Sequence, residues 1–381
     1  MKKSIFFALL LTIGVMSMQA QNYLLKGKFQ VREGEYARFV SGNLNYNLAT
    51  EKFAVFDKQY LSYDELNANI ASYVSSNTGT IDLFGWGTSG YQSAPAIYKA
   101  DNSLFAPNVA DNQALETGGN RQHDWGYHNT IGSDEGPFYY FTPNRFEWNY
   151  LMQNRPNADK LRGTATITAD GKDYVGFVFL PDNWALPLNL TFVPDVRDYS
   201  NKYTAEQWQQ MENAGALFLP CAGYRNGQTY VKQGYCTYWS SNSAGSADGS
   251  DYQGKALYAF VNDWTADGMA NRYMGYAVRL IQWGLREQPT TLTQTETHEI
   301  NEGESYEWHG VKLSKPGVYN YTELEVQDNT DRITTLTLTF KGQGIESVQQ
   351  AATNNKKVLR DGQLLIERNG ELFNAQGARV K

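Results

Sequence analysis

Two cysteines, four histidines and scattered carboxylates are the groups in this sequence able to do covalent, metal or acid–base chemistry. Cys221 and Cys236 stand in successive strand-like segments, Leu217–Tyr224 and Gln228–Trp239. If those segments pair as neighbours, an oxidising compartment permits a disulfide between them; two separate buried thiols are the alternative. The spacing is not C-x-x-C and no His lies close, so the pair is not read as a metal or redox site. His123, Asp124 and His128 fall together within Arg121–Asn129. Imidazole and carboxylate are ordinary ligands, yet the spacing fits no metal motif and no third His is near. No metal is assigned, and loop hydrogen bonding is expected there. The chain has no G-x-S-x-G elbow, no H-E-x-x-H, no phosphate loop and no dinucleotide fingerprint. It is read as non-enzymatic and without a cofactor, although paired carboxylates for glycoside hydrolysis need only proximity in space.

Recognition chemistry is better represented. Tyr238–Gln282 has two β-like runs, Ala256–Val261 and Tyr276–Ile281, joined by loops rich in Gly, Asp and Asn. Trp239 precedes the first loop and reads as core. The loops after Trp239 and Val261 carry Asn242, Tyr252, Asp263, Trp264, Arg272 and Tyr273. These side chains combine stacking faces with hydrogen-bonding tips, as glycan or protein recognition requires, and they are the candidate ligand-binding residues. Composition points the same way: 26 Tyr among 381 residues, with charged residues at only 19%, leave tyrosine much of the surface polarity to supply. The formal charge of −7 argues against a nucleic-acid partner, which needs a basic face.

Several elements must position these residues. Lys2 and Lys3 precede the apolar run Ile5–Met16, and Ser17–Gln21 is small and polar, so residues 1–20 read as a signal peptide cut after Ala20. No Cys follows for a lipid anchor, and no later stretch is long enough for a transmembrane helix. Strands are expected at Gly27–Val31, Tyr36–Val40, Leu44–Tyr46, Phe53–Phe56 and Tyr174–Leu180, with a short helix over Tyr63–Tyr73. Two helices carry capping boxes: Asn144–Asn154, with Asn144 and Glu147, and Thr204–Asn213, with Thr204 and Gln207. Gly227 is a hairpin turn candidate. Tyr91–Tyr139 is long, polar and aperiodic. Residues 283–295 read as a linker, 296–341 as a small acidic β module, and 342–355 as a second linker. Residues 356–381 hold six basic and three acidic residues and read as hairpin-like pairs turned at Asn369–Gly370.

Four segments give the chain a family likeness: Ser41–Asn47 (SGNLNYN), Ile81–Gly90 (IDLFGWGTSG), Asn144–Arg155 (NRFEWNYLMQNR), and Phe218–Gly227 with Tyr238–Ser241 and Gly275–Ile281. In this order they resemble exported Bacteroidetes paralogous-domain proteins with a C-type-lectin-like fold. The resemblance covers roughly Leu25–Gln282. It implies first and last strands that pair, two helices flanking a central sheet, and long loops over one side. It places Arg279 on the last strand, where a buried guanidinium paired with a carboxylate is expected and a ligand contact is the alternative. The same broad fold houses formylglycine-generating enzymes, but Cys221 and Cys236 are too far apart for that chemistry. Calcium-dependent lectins use an E-P-N or Q-P-D loop with an Asn–Asp pair; only Thr142–Asn144 and Asn262–Asp263 echo it, so calcium is not assigned. Glu296–Phe340 is similar to a small β module of exported adhesin-like proteins, and the tail is similar to type IX secretion sorting segments.

The expected fold class is therefore α+β. A C-type-lectin-like domain of two helices and mixed short strands (21–282) precedes a small all-β, sandwich-like module and a C-terminal β-hairpin segment. The expected function is that of a secreted or cell-surface non-catalytic protein binding an extracellular glycan or protein, with envelope attachment through the C-terminus. The alternative is a structural or display component of the envelope with no small-molecule ligand.

Overall fold

The computed structural model describes residues 23–91, 115, 118–131, 140–232, 234–244, 253–259, 263–285, 290–324, 330–341, 355–360, 363–368, 371–373 and 379–380. The signal peptide, Tyr252, most of the aperiodic Tyr91–Tyr139 stretch and nearly all of the 342–355 linker lie outside the described residues. Two hairpins open the described chain. β1 (Phe29–Arg32) and β2 (Glu35–Phe39) turn at Gly34, whose φ of 72° suits a residue without a Cβ. β3 (Leu44–Asn47) pairs with β4 (Lys52–Val55) on one side and β5 (Thr80–Ile81) on the other. Between them run α1 (Asp64–Ala68) and α2 (Ile70–Ser76), the latter ending at Asn77 in the left-handed region. α3 (Trp125–His128) is capped by the Asp124 carboxylate, which accepts from the Gly126 and Tyr127 amides.

α4 (Arg145–Asn149) opens with the expected Asn144–Glu147 capping box. It then widens into a π turn over Tyr150–Asn154, and Arg155 is already extended ahead of Pro156. β6 (Arg162–Ala169), β7 (Lys172–Phe179), β8 (Asn201–Thr204) and β9 (Leu217–Pro220) form a mixed sheet ordered β8-β6-β7-β9. β6 and β7 are joined by Asp170–Gly171, with φ of 51° and 73°, the signature of a tight hairpin turn. α5 (Ala205–Asn213) lies on this sheet, with Trp208 and Met211 packed among Ala165, Ile167 and Phe218.

β10 (Tyr224–Asn226) and β11 (Thr229–Val231) form a hairpin turned at Gly227. β12 (Cys236–Ala244), β13 (Gln253–Ala259) and β14 (Trp264–Asn271) make an antiparallel meander. Cys221 and Cys236 are joined by a disulfide. The run Tyr276–Ile281 is not one strand: Tyr276 and Ala277 make single bridges to Phe84 and Tyr238, and the ladder begins only with β15 (Ile281–Leu285). β15 pairs antiparallel with β2, tying the opening hairpin to the end of the first body.

The 283–295 stretch read as a linker carries strand at both ends, because β15 runs to Leu285 and β16 (Thr290–Ile300) starts at Thr290. β17 (Tyr306–Trp308) and β18 (Val311–Leu313) form a hairpin; β19 (Gly317–Leu324) and β20 (Thr330–Phe340) complete a sheet ordered β16-β20-β19, with β16 and β20 parallel. Ile300, Trp308, Leu313, Leu336 and Leu338 are its core, and Leu188 of the first body packs against it. The tail is a four-stranded meander, β21 (Asn355–Arg360), β22 (Gln363–Arg368), β23 (Glu371–Phe373) and β24 (Arg379–Val380), in which β21 and β24 flank the pair expected to turn at Asn369–Gly370. Small sheets dominate and helices are short, an α+β or mostly-β arrangement. Among the described residues no helix is long and apolar enough to cross a membrane.

Candidate functional site

Of the six residues expected to form a ligand site, Tyr252 lies outside the described residues, and Asn242, Trp264, Arg272 and Tyr273 are held by separate contacts. Trp264, expected on an exposed loop, is the first residue of β14 and is buried. Its ring meets Phe177 edge-on at 4.6 Å, with the Arg197 guanidinium 4.3 Å from its centroid. β13 ends at Ala259 and β14 already begins at Trp264, so the ring belongs to a strand and packs on its core face rather than on a loop. Arg272 is also buried, 1% exposed, rather than on a loop rim. Its Nε donates to the Gln253 carbonyl at 3.1 Å and its guanidinium lies 4.4 Å from the Trp86 ring, so it fastens the Ile81–Gly90 segment. Asn242 sits on β12, where its Oδ1 accepts from the Arg145 amide at 2.7 Å, the start of α4. Tyr273 is half-buried and its hydroxyl accepts from Asn271 Nδ2 at 3.1 Å. Asp263 alone of the described five is exposed. Trp239 is core, its ring 4.4 Å from that of Tyr276 at a 31° tilt and its indole N–H donating to the Phe84 carbonyl at 2.6 Å.

Arg279 is fully buried, as expected, but its hydrogen bonds go elsewhere than to a carboxylate. Nε donates to Asn43 Oδ1 at 3.0 Å, Nη1 to the Val40 carbonyl at 3.1 Å, and Nη2 to the Gln59 and Phe218 carbonyls at 3.2 and 3.1 Å. The guanidinium is a structural fork. His123 and His128 meet Tyr91 edge-on, at 5.1 and 5.6 Å, and His128 Nδ1 lies 3.0 Å from Gln122 Oε1. Among the described residues no three His, Cys, Asp or Glu side chains gather as a metal site.

The groups that do converge come from stretches the sequence reading did not single out. A groove of about 390 Å³ is edged by Tyr63, Tyr73 and Tyr174, with Ser62, Asp64, Thr80 and Lys172 between them. Its size is at the small end of ligand sites, roughly 300–1,000 Å³. Local structure explains each position. Tyr63 precedes α1 and is 42% exposed, yet its ring is backed edge-on by Phe56 at 4.9 Å. Tyr174 stands on β7 against Tyr60 at 5.0 Å. Tyr73 comes from α2, and Gly79, at φ 88°, lets the chain pass under it: a Cβ there would meet Leu66 and Tyr73 at 2.7 and 2.9 Å. Asp64 is oriented by the Tyr230 hydroxyl at 2.8 Å and paired with Lys232. Beneath the rim, the buried Asp82 carboxylate accepts from the Tyr63 amide at 2.9 Å and from Asn67 Nδ2 at 2.7 Å.

Electrostatics keep the groove in a hydrogen-bonding state. Burial first, and then neighbouring carboxylates, raise the Tyr63 and Tyr174 pKa values, so both phenols stay protonated donors near neutrality. Burial pushes Asp82 up to about 6. A signal was present in the sequence: tyrosine recurs at 60, 63 and 73 around a helix start, and Asp170–Gly171 is a strong hairpin turn that brings Tyr174 across. The chain matches no protein-family model, and neither a curated protein nor a solved structure is significantly similar to it.

Proposed function

We propose that the chain is an exported, non-catalytic binding protein whose lectin-like body holds a saccharide in the tyrosine-edged groove. The carrying observation is the groove's composition: three tyrosines around Ser62, Asp64, Thr80 and Lys172. A pyranose presents an apolar C–H face and a ring of hydroxyls. Tyrosine rings match the face, and phenols, hydroxyls, a carboxylate and an ammonium match the hydroxyls. The lectin-like reading draws support from the pairing of β15 with β2 of the opening hairpin, one strand in from the first-to-last pairing that the family likeness implies, and from the two capped helices α4 and α5. Bacteroidetes origin, export and delivery by a type IX route belong to the same reading.

The test is binding of the full chain to a panel of neutral polysaccharides and immobilised glycans, followed by titration of the best ligand. Tyr63→Ala and Tyr174→Ala each weaken binding about tenfold, or roughly 1.4 kcal/mol. Phe146→Ala, which removes a ring 61% exposed outside the groove, leaves it unchanged. Wild-type affinity in the Tyr63/Tyr174 double variant would sink the site. A second reading is a structural or display component of the envelope. The burial of Trp264 and Arg272 favours it, because it removes an expected ring and an expected charge from the loops. Under that reading no glycan on the panel is retained by the wild-type chain.

A further inference from the structure

A second concavity has no part in the groove chemistry. It is a cleft of about 290 Å³ where the first body meets the β17–β18 hairpin. The hairpin turns at His309–Gly310, with φ of 46° and 78°, so that Trp308 and Val311 are paired across it. The Trp308 indole N–H donates to Glu296 Oε2 at 3.0 Å, and the His309 ring stacks on Tyr321 at 3.7 Å and 5°. Those contacts fix an aromatic wall. The opposing wall is aliphatic, from Leu186, Pro187 and Leu188. Leu188 docks against the Trp308 cluster, but Leu186 remains 43% exposed and Tyr321 37% exposed, so the contact leaves apolar surface uncovered. Among the described residues, Lys26 is the one lysine, arginine, aspartate or glutamate lining the cleft. Lys26 makes no ion pair among the described residues, on a protein of net charge −7. Gln210 and Asn213 add amides.

We propose that this cleft binds an apolar group that carries a carboxylate. The apolar body packs between Leu186 and the Trp308–Val311 hairpin, and the carboxylate meets Lys26 as a charge-assisted hydrogen bond. That chemistry is shared by a free arylalkyl carboxylic acid and by the hydrophobic C-terminus of a peptide. The volume suits one ring or one branched side chain, and a saccharide would leave the hydroxyls that face Leu186, Pro187 and Leu188 without partners.

The experiment is calorimetric or ligand-observed NMR titration of the full chain with 3-phenylpropanoate, N-acetyl-phenylalaninate and the uncharged amide of the latter. Saturable binding by at least one acid is expected, with the N-acetyl amide roughly tenfold weaker than its acid. Lys26→Gln, a surface change, erases the acid–amide difference. Val311→Glu abolishes binding while the far-UV spectrum and melting temperature show the fold intact. Tyr63→Ala leaves all three titrations unchanged, which separates this cleft from the groove. Binding of N-acetyl-phenylalaninate alone identifies a peptide terminus; tighter binding of 3-phenylpropanoate identifies a free acid. No saturation by either acid up to about 10 mM, a scale of only a few kcal/mol, overturns the proposal. So does equal affinity for acid and amide, or a Lys26→Gln variant that keeps the preference.

Discussion

The Asp82 carboxylate shows how one residue ties the groove to pH. It is buried, and burial raises its pKa from 3.8 to about 6 against the pull of Asn67, the Tyr63 amide and Arg225. Between those two values the folded state keeps a proton that the unfolded chain has released. Stability therefore falls as pH rises through that window and is lowest, in this contribution, above the folded value. The gap corresponds to roughly 3 kcal/mol. Asp82→Asn cannot titrate there. Urea unfolding of both proteins between pH 4 and 7 is expected to show the wild-type advantage over Asp82→Asn shrinking by about 3 kcal/mol toward neutrality. A pH-independent difference would mean that the two hydrogen bonds hold the carboxylate ionised throughout. His123 and His128 act in the opposite sense. Burial lowers both, with His128 also acting on His123, so their contribution is present above the unfolded value near 6.5 and lost on acidification. Comparison with Asp82→Asn removes that background, because both proteins carry it.

At the scale of elements, the capping boxes are where local sequence decides structure most directly. Thr204 Oγ1 accepts from the Gln207 amide at 3.2 Å, and Gln207 Oε1 accepts from the Thr204 amide at 2.9 Å. A nine-residue helix is marginal alone, so α5 depends on this cap and on Trp208 and Met211 against the sheet. Thr204→Ala is expected to cost about 1 kcal/mol and Thr204→Ser close to nothing, read as a shift in urea midpoint at constant m-value. An equal loss in both variants would assign the effect to the Thr methyl group instead. Both capped helices were legible because their signals lie within four residues of sequence. β6 was not. Its Arg-Gly-Thr-Ala-Thr-Ile-Thr-Ala run has few large apolar side chains, and it is buried because α5 and the 193–199 segment cover it, a tertiary fact. Asp170–Gly171 was the one local clue to that hairpin. Trp264 was misplaced for a related reason. Aromatic-in-polar-loop composition cannot tell a loop ring from the first residue of a strand, and only the pairing of Trp264 with Ala259 settles which it is. For the tyrosine groove the local signals at Tyr60, Tyr63, Tyr73 and Asp170–Gly171 did not suffice, since Tyr63 and Tyr174 are brought together by two separate supersecondary units.

For the whole molecule, closure rests on one guanidinium as much as on one ladder. β15 pairs with β2 through Ile281–Phe39 and Gln282–Arg38, and Arg279 sits just ahead of that register. Its donors reach Val40 and Asn43 near the start of the chain, Gln59 before α1, and Phe218 on β9. Asn43 passes the contact on, donating to the Tyr238 hydroxyl at 3.1 Å, which donates to the Pro220 carbonyl at 2.7 Å. Burial lowers the Arg279 pKa only to about 10, so the charge is retained at neutrality and must stay hydrogen-bonded. Arg279→Met fills much of the volume but strands an amide oxygen and three carbonyls without a donor. A loss of about 3 kcal/mol or more follows from leaving such buried acceptors unpaired. Arg279→Lys is expected to lose nearly as much, since one ammonium cannot reproduce a planar fork aimed at acceptors on separate segments. A second readout separates closure from general weakening. Amide exchange should accelerate together in β2 and β15, while β16 and β20, which pair with each other outside this network, keep their protection. If Arg279→Met unfolds within about 0.5 kcal/mol of wild type, the usual range for a surface change, the β2–β15 ladder closes the molecule without it.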